Sequence, residues 1–314
     1  MAGTPGRFLA AVLLLVSSGL HRSSTCPDSC TCPRAPLLNC SSTGLSSAPR
    51  LLRDSVAELD LSHNLLDSVS LDQPHRNLRD LWLGDNRIAR LSLCVERNRG
   101  RRRLRGSRTW RGRGCESWAP ALQLLSVERN QLQQLPQGLD GSESLQVLQL
   151  SFNRISTLRP GELRHLRQLK ELHLQHNLIS SLHPQMFQDL VQLRVLDLSF
   201  NMLTSLHPLT HLSLRNIGAD VRLGGNRWQC DCSMRSLRRR MAFDGSRGLQ
   251  AWSLVCASPS VLSGRNLLQL EDDDLNCFRT ENGPELHRDV TVYRGSEILL
   301  SCAPQGNSHK CTIT

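Results

Sequence analysis

The 314-residue chain has only one long apolar run, and this run lies at the amino terminus. Residues 8–16 follow a single basic residue, Arg7, and precede a stretch of small residues, as in a secretory signal peptide. The run is shorter than the about 18 to 20 apolar residues that span a bilayer as a helix. We therefore expect residues 1–24 to be a signal peptide and the mature chain to be secreted, while a longer form would be a single-pass plasma-membrane protein.

The chain also lacks a constellation of catalytic or metal-binding groups. No acid/base or nucleophile/base pair recurs at a spacing that catalysis requires. His173 and His176 come closest to a metal pair, but His173 should point outward from a strand while His176 enters the following turn. The sequence therefore predicts no enzyme, no cofactor and no metal site.

The most prominent feature is a repeat of the form L-x-x-L-x-L-x-x-N-x-L. The spacings between successive asparagines are 22, 44, 23, 24, 24 and 25 residues. Such a period predicts a solenoid in which stacked copies bury a continuous leucine core. Each asparagine should be buried and hydrogen-bonded to backbone groups where the chain leaves the strand. These residues are Asn64, Asn86, Asn130, Asn153, Asn177, Asn201 and Asn226.

The strand segment of each repeat alternates, so its two leucines point inward and the residue between them points outward. These outward residues should line the concave face, which is polar apart from one large aromatic side chain. A broad polar concavity of this kind is typical of protein-binding solenoids. The candidate binding residues are Asp60, Trp82, Ser126, Gln149, His173, Asp197 and Arg222.

Twelve cysteines are consistent with an oxidising compartment. Four precede the first repeat and four follow the last, so they can seal the two ends of the leucine core. Zinc also binds four cysteines, but the spacing is not that of paired C-x2-C motifs, and secretion favours disulfides. The eight are Cys26, Cys30, Cys32, Cys40, Cys230, Cys232, Cys256 and Cys277.

The motif C-P-D-S-C-T-C-P at 26–33, the seven repeats, and N-x-W-x-C-x-C at 226–232 together resemble the extracellular leucine-rich-repeat family with cysteine-rich caps. The resemblance implies an α/β solenoid with parallel strands on its concave face. It places the caps at 25–54 and 229–277, with the repeats at 55–228. It also implies four disulfides: Cys26–Cys32, Cys30–Cys40, Cys230–Cys256 and Cys232–Cys277.

Residues 278–314 differ in character. A V-x-V segment, a glycine and an L-x-C segment at 290–302 look like the opening strands of an immunoglobulin domain, which needs about 100 residues. We interpret this β segment as an incomplete domain in which Cys302 lacks its usual partner. Cys311 is an alternative partner, but that bridge would replace the immunoglobulin fold.

An arginine-rich segment at 93–120 accounts for the 44-residue spacing. Nine arginines against Glu96 and Glu116 cannot collapse into a leucine core. A lost repeat would put arginines where leucines and an asparagine are needed, so we favour an insertion looped out of the solenoid. Cys94 and Cys115 could close it as a disulfide.

Two interpretations of this segment stay open. It is either an insert without function or a site for a polyanion, which clustered guanidinium groups bind by paired hydrogen bonds. Secretion favours glycosaminoglycan over nucleic acid. The candidate polyanion ligands are Arg101, Arg102, Arg103 and Arg105.

The resemblance implies an extracellular protein-binding module, as in leucine-rich-repeat/immunoglobulin adhesion molecules and receptors, here in a soluble or truncated form. Its partner would be a protein ligand or cell-surface receptor. The alternative is a secreted matrix protein that binds glycosaminoglycans through its arginine-rich segments. In the carboxy-terminal cap, the arginines at 235–240 are expected to form a solvated helix face, and the acidic residues at 271–274 an exposed loop.

Overall fold

The computed structural model describes residues 26–27, 29–34, 36–49, 52–71, 73–95, 116–216, 220–248, 252–277, 300–305 and 308–313. The predicted signal peptide at 1–24 therefore lies outside the described residues. So do residues 96–115 of the arginine-rich segment and the V-x-V segment at 290–292 of the tail.

Eight three-residue strands form one parallel sheet in sequence order, which confirms the predicted solenoid. Each strand buries its central apolar residue, because successive side chains of a strand point to opposite faces. The strands are β1 Leu37–Asn39, β2 Glu58–Asp60, β3 Asp80–Trp82, β4 Leu124–Ser126, β5 Val147–Gln149, β6 Glu171–His173, β7 Val195–Asp197 and β8 Asp220–Arg222.

The seven repeat asparagines are buried and link neighbouring repeats. Asn153 shows the pattern: its amide nitrogen donates to the carbonyl of Val127 in the preceding repeat at 2.8 Å and to Leu150 at 3.1 Å. Its side-chain oxygen accepts from the backbone N–H of Leu132 at 2.9 Å. Backbone groups that the short strands leave unpaired are thereby satisfied inside the core.

The caps close both ends of the core. The amino-terminal cap contains disulfides Cys26–Cys32 and Cys30–Cys40, and the carboxy-terminal cap contains Cys230–Cys256 and Cys232–Cys277. The last repeat carries helix α1 Pro208–Asn216 on its convex side. The carboxy-terminal cap consists of strand β9 Trp228–Gln229, helix α2 Arg235–Ser246 and strand β10 Cys256–Ser258, which pairs with β9.

Helix α2 carries the expected solvated arginine face only in part, since Arg239 and Arg240 are exposed but Arg238 is not. Leu237 and Met241 are buried as expected, but the Arg238 side chain is largely covered. Its guanidinium contacts Glu271 at 2.8 Å and Asp272 at 3.1 Å, and it also donates to the Leu270 carbonyl. The acidic segment is therefore held against the helix by the ion pairs that Glu271 and Asp272 form with Arg238 and Arg239.

The described residues on the two sides of the arginine-rich segment lie next to each other in the solenoid. Strand β3 pairs directly with β4, with Trp82 opposite Ser126, despite the 44-residue spacing. Cys94 and Ser117 form an antiparallel bridge, and the Val95 N–H donates to the Glu116 carbonyl at 2.8 Å. Cys94 is disulfide-bonded, while Cys115 lies outside the described residues.

The base of this segment belongs to the core, so the insertion is narrower than 93–120. The fully buried Trp118 donates its ring N–H to the Ser92 carbonyl at 2.9 Å, and its own carbonyl accepts from the His75 N–H at 2.7 Å. Leu93 and Ala119 are also buried.

The tail contains an antiparallel hairpin of strand β11 Leu300–Gln305 and strand β12 Ser308–Ile313. Cys302 lies directly opposite Cys311 in the register of this hairpin.

Candidate protein-binding surface

The predicted concave residues occupy aligned positions on the sheet, but they are not equally accessible. Trp82, in register with Asp60 and Ser126, is partly exposed. Ser126 is only 3% exposed and Asp197 only 6%, so neither offers its side chain to a partner. Both are short side chains flanked by longer ones from neighbouring strands. Sequence spacing gives the direction of a side chain but not its burial by neighbours.

Trp82 lies in a cavity of about 310 Å3 on the amino-terminal half of the concave face. Gly84 contributes no side chain two residues further on, which leaves the space beside the indole open. Four carboxylates line the same cavity: Glu58, Asp60, Asp85 and Glu128.

These carboxylates are poorly neutralised. Asp85 faces His63, with Oδ2 at 3.5 Å from Nδ1. Across the described part of the chain, no ion pair involves Glu58, Asp60 or Glu128. Burial raises the pKa of the neighbouring Asp80, and the charge of Glu58 raises it further. The cavity therefore combines an aromatic face with excess negative charge.

In the carboxy-terminal half of the concave face, the charged side chains contact one another. His173 Nε2 lies 3.2 Å from Glu171. Arg222 lies 2.6 Å from Asp220 and 3.7 Å from Asp197. The hydrogen bond and charge of Asp220 raise the pKa of Arg222.

A row of side chains that sequence reasoning missed runs along the edge formed by the carboxyl ends of the strands. We call Arg129, Phe152, His176 and Phe200 the edge stack. The Arg129 guanidinium lies 4.4 Å from the Phe152 ring centre. The Phe152 and His176 ring centres are 4.3 Å apart, and those of His176 and Phe200 are 4.5 Å apart. The available signal was their position, since each directly precedes a repeat asparagine.

The predictions on metal and polyanion binding can be compared with the described residues only. Within the described ranges, no group of three or more His, Cys, Asp and Glu side chains could hold a metal ion. The polyanion candidates Arg101, Arg102, Arg103 and Arg105 lie outside the described residues. No helix in the described part of the chain is long and apolar enough to cross a membrane.

Comparison with known proteins agrees with this architecture. Residues 120–179 and 167–218 match the family described as "Leucine rich repeat", and residues 253–277 match "Leucine rich repeat C-terminal domain". Amphoterin-induced protein 3 of Rattus norvegicus is 42% identical over 65 residues, which are 20% of this chain and 13% of that protein. Leucine-rich repeats and immunoglobulin-like domains protein 3 of Homo sapiens is 30% identical over 145 residues, which are 45% of this chain and 11% of that protein.

The chain thus spans a small part of the length of these two relatives. Among solved structures, human 5T4 (Wnt-activated inhibitory factor 1, trophoblast glycoprotein) aligns with a TM-score of 0.55 and 22% identity, covering 81% of this chain and all of that one. The parallel sheet and the buried asparagines give the chain the fold of a leucine-rich-repeat solenoid, and the family matches lie at residues 120–218 and 253–277. Disulfide-bonded caps close the solenoid at both ends.

Proposed function

We propose that this chain is an extracellular protein-binding module whose concave face binds a cationic segment of a protein partner at Trp82. It would be a module of the kind found in adhesion molecules and receptors that join leucine-rich repeats to immunoglobulin-like domains. The observation that carries this proposal is the cavity around Trp82, in which carboxylates without ion-pair partners surround an accessible indole.

The chemistry of this cavity suits an arginine or lysine side chain. An indole attracts a cation placed over its face, and nearby carboxylates add ionic hydrogen bonds. Glu58 and Glu128 form no ion pair within the described residues, and Asp60 accepts from Ser62 through Oδ1 alone, which leaves its Oδ2 for such a bond. The same charges repel a polyanion from this face.

The glycosaminoglycan alternative has no support on the concave face. It rests on arginines outside the described residues and stays a prediction. A polyanion would be attracted to those arginines and would lose affinity steeply as salt rises.

A binding screen tests the proposal. The secreted chain is immobilised and probed by surface plasmon resonance with a panel of extracellular protein domains, and any partner is then tested against variants. Trp82→Ala together with His173→Ala should weaken binding by about 2 kcal/mol or more, as for an interface hot spot. Trp82→Ala alone should account for most of this loss, because His173 already contacts Glu171.

Gln149→Ala is the matched control, because Gln149 lies in the same concave column outside the cavity. It should leave binding unchanged, and all variants should remain folded at the temperature of the binding measurement. A tight partner that is insensitive to Trp82→Ala would refute this site.

A further inference from the structure

The edge stack lies outside the cavity around Trp82, and we infer that it is a second protein-binding surface, specific for an acidic segment of a partner with an apolar side chain. Its members are exposed at the carboxyl-end edge of the sheet: Phe152 is 38% exposed and Phe200 is 55% exposed. This surface does not depend on the function proposed for the concave face.

The stack arises from the backbone geometry of the repeat. From His63 to Phe200, the residue before each repeat asparagine has φ near +55°, and its N–H bonds to a carbonyl of the next repeat, as His176 does to Ser199 at 3.1 Å. Equivalent positions in neighbouring strands are about 4.8 Å apart. Planar side chains at these positions therefore stack face to face along the edge.

Stacking determines which part of each ring a partner can reach. His176 is stacked between Phe152 and Phe200, with ring planes 11° and 3° apart. The next residue in the row is Gly225, where a Cβ atom would come within 2.5 Å of the Phe200 ring. The ring faces are thus occupied, and the ring edges remain available. Ring edges carry positive partial charge, so they favour carboxylate or carbonyl oxygens. A sugar ring would need a free aromatic face.

Asp85 occupies the position of the row before Arg129, but from Arg129 toward the carboxy-terminal end the charged side chains of the row are all basic. Arg129, Arg154 and Arg227 are exposed, and in the part of the chain that the structure describes they form no ion pair. From Arg129 onward, neither the residues that precede the repeat asparagines nor those that follow them include a carboxylate. Exposed arginines next to apolar surface thus favour a partner segment with Asp or Glu residues.

Two apolar side chains lie two residues after members of the edge stack. Leu178 directly follows the buried Asn177 and is 47% exposed. Met202 occupies the equivalent position in the next repeat and is partly exposed. A bound segment with one aliphatic or aromatic side chain between its carboxylates would cover Leu178 and contact the ring edges.

Two synthetic peptides with the same leucine-containing centre, one flanked by Asp and Glu and the other by Lys, test the inference. Isothermal titration calorimetry with the secreted full-length chain should show the acidic peptide binding about tenfold more tightly. Phe152→Ser with Phe200→Ser should lower its affinity about tenfold. Arg129→Gln with Arg154→Gln should do the same while leaving both phenylalanines in place.

Leu65→Ser is the matched control, because Leu65 is exposed and follows the first repeat asparagine, far along the row from the stack. Neither this change nor Trp82→Ala should alter the affinity. Equal binding of both peptides, no binding, or an equal loss in Leu65→Ser would overturn the inference. Displacement of the acidic peptide by a heparin fragment that also depends on Phe152 and Phe200 would assign the surface to polyanions instead.

Discussion

The amino-terminal and carboxy-terminal halves of the sheet share one backbone geometry but present different surfaces. Around Trp82, carboxylates such as Glu128 have no ion-pair partner in the described chain, whereas Asp197 and Asp220 contact Arg222. The residues that precede the repeat asparagines also differ between the two halves. Asp85 is an acidic member of this row near the amino-terminal end, whereas the basic Arg129 begins the edge stack. The repeat thus determines where surface positions lie, and the residues outside the leucine–asparagine frame determine what each half can bind.

The largest expected effect is the difference in stability between replacing a buried tryptophan and replacing a surface tryptophan of the amino-terminal half. Trp118→Ala should lower the free energy of unfolding by about 3–5 kcal/mol, because it removes a fully buried ring and its hydrogen bond to Ser92. Urea unfolding followed by circular dichroism measures this loss. Trp82→Ala is the matched substitution on the surface and should cost less than about 1 kcal/mol. Similar losses in both variants would show that Trp82 is a structural residue.

A smaller effect tests the charge difference between the two halves. Asp60→Asn with Glu128→Gln should lower the affinity for an arginine-containing peptide about tenfold at low salt, because the cavity loses two carboxylates. The loss should shrink as salt approaches about 0.5 M, where exposed charges are screened. Glu171→Gln removes a carboxylate that already faces His173 and is the control. Surface plasmon resonance at both salt concentrations measures the affinities. An equal loss of affinity in the double variant and in Glu171→Gln would contradict the proposed difference between the two halves.

A pH-dependent loss of stability is expected in both halves, through His75 and His211. Burial lowers the pKa of each below its usual 6.5, against the opposing charge of Asp54 or Asp244. Above pH 6.5 both histidines are neutral in the folded and the unfolded chain, so their protonation does not lower the free energy of unfolding. As the pH falls below it, the unfolded chain takes up protons that the folded chain resists, and stability declines.

Melting temperatures at about pH 7.5 and about pH 5.5 measure this decline. His211→Gln and His75→Gln should each reduce it, and the combined variant should reduce it further because the two sites are far apart in sequence and share no partner. A decline that persists unchanged in the combined variant would exclude both histidines as its source.

The smallest expected effect concerns the arginine-rich segment. We consider a variant in which a two-residue Asn-Gly turn replaces residues 96–115 and Cys94 is changed to Ser. Its free energy of unfolding should change by less than about 1 kcal/mol, because backbone pairing of residue 94 with Ser117 already brings the two ends together. Differential scanning calorimetry measures the change. Trypsin should cleave the parent chain first between residues 97 and 113 if this segment is looped out. A strongly destabilised deletion variant would mean that the segment supports the solenoid.

Much of the fold follows directly from the sequence pattern. The asparagine period predicted the sheet, since the buried amide of Asn153 can be satisfied only if an equivalent backbone turn lies beside it. The resemblance to capped leucine-rich repeats implied the four disulfides that the structure contains. The sheet follows from spacing along the chain, whereas the disulfide pairing was implied by the resemblance alone.

The surface was less predictable because it depends on contacts between distant segments. Spacing placed Asp197 on the concave face, but its burial reflects its neighbours Ser199 and Arg222. The cover over Arg238 comes from residues more than 30 positions away. The edge stack was missed because its members are neither leucines of the frame nor outward residues of a strand.

The asparagine row gives the solenoid a direction. Every asparagine bonds back to the repeat before it: Asn86 to Leu61, Asn130 to Leu83 and Asn226 to Leu198. The two ends are therefore as different as the two ends of an actin filament, and neither cap can replace the other. Duplication of an internal repeat preserves every such bond, whereas an added terminal repeat must separate a cap from its neighbour. Proteins built this way should change length by internal duplication, and engineered extensions should be spliced between repeats.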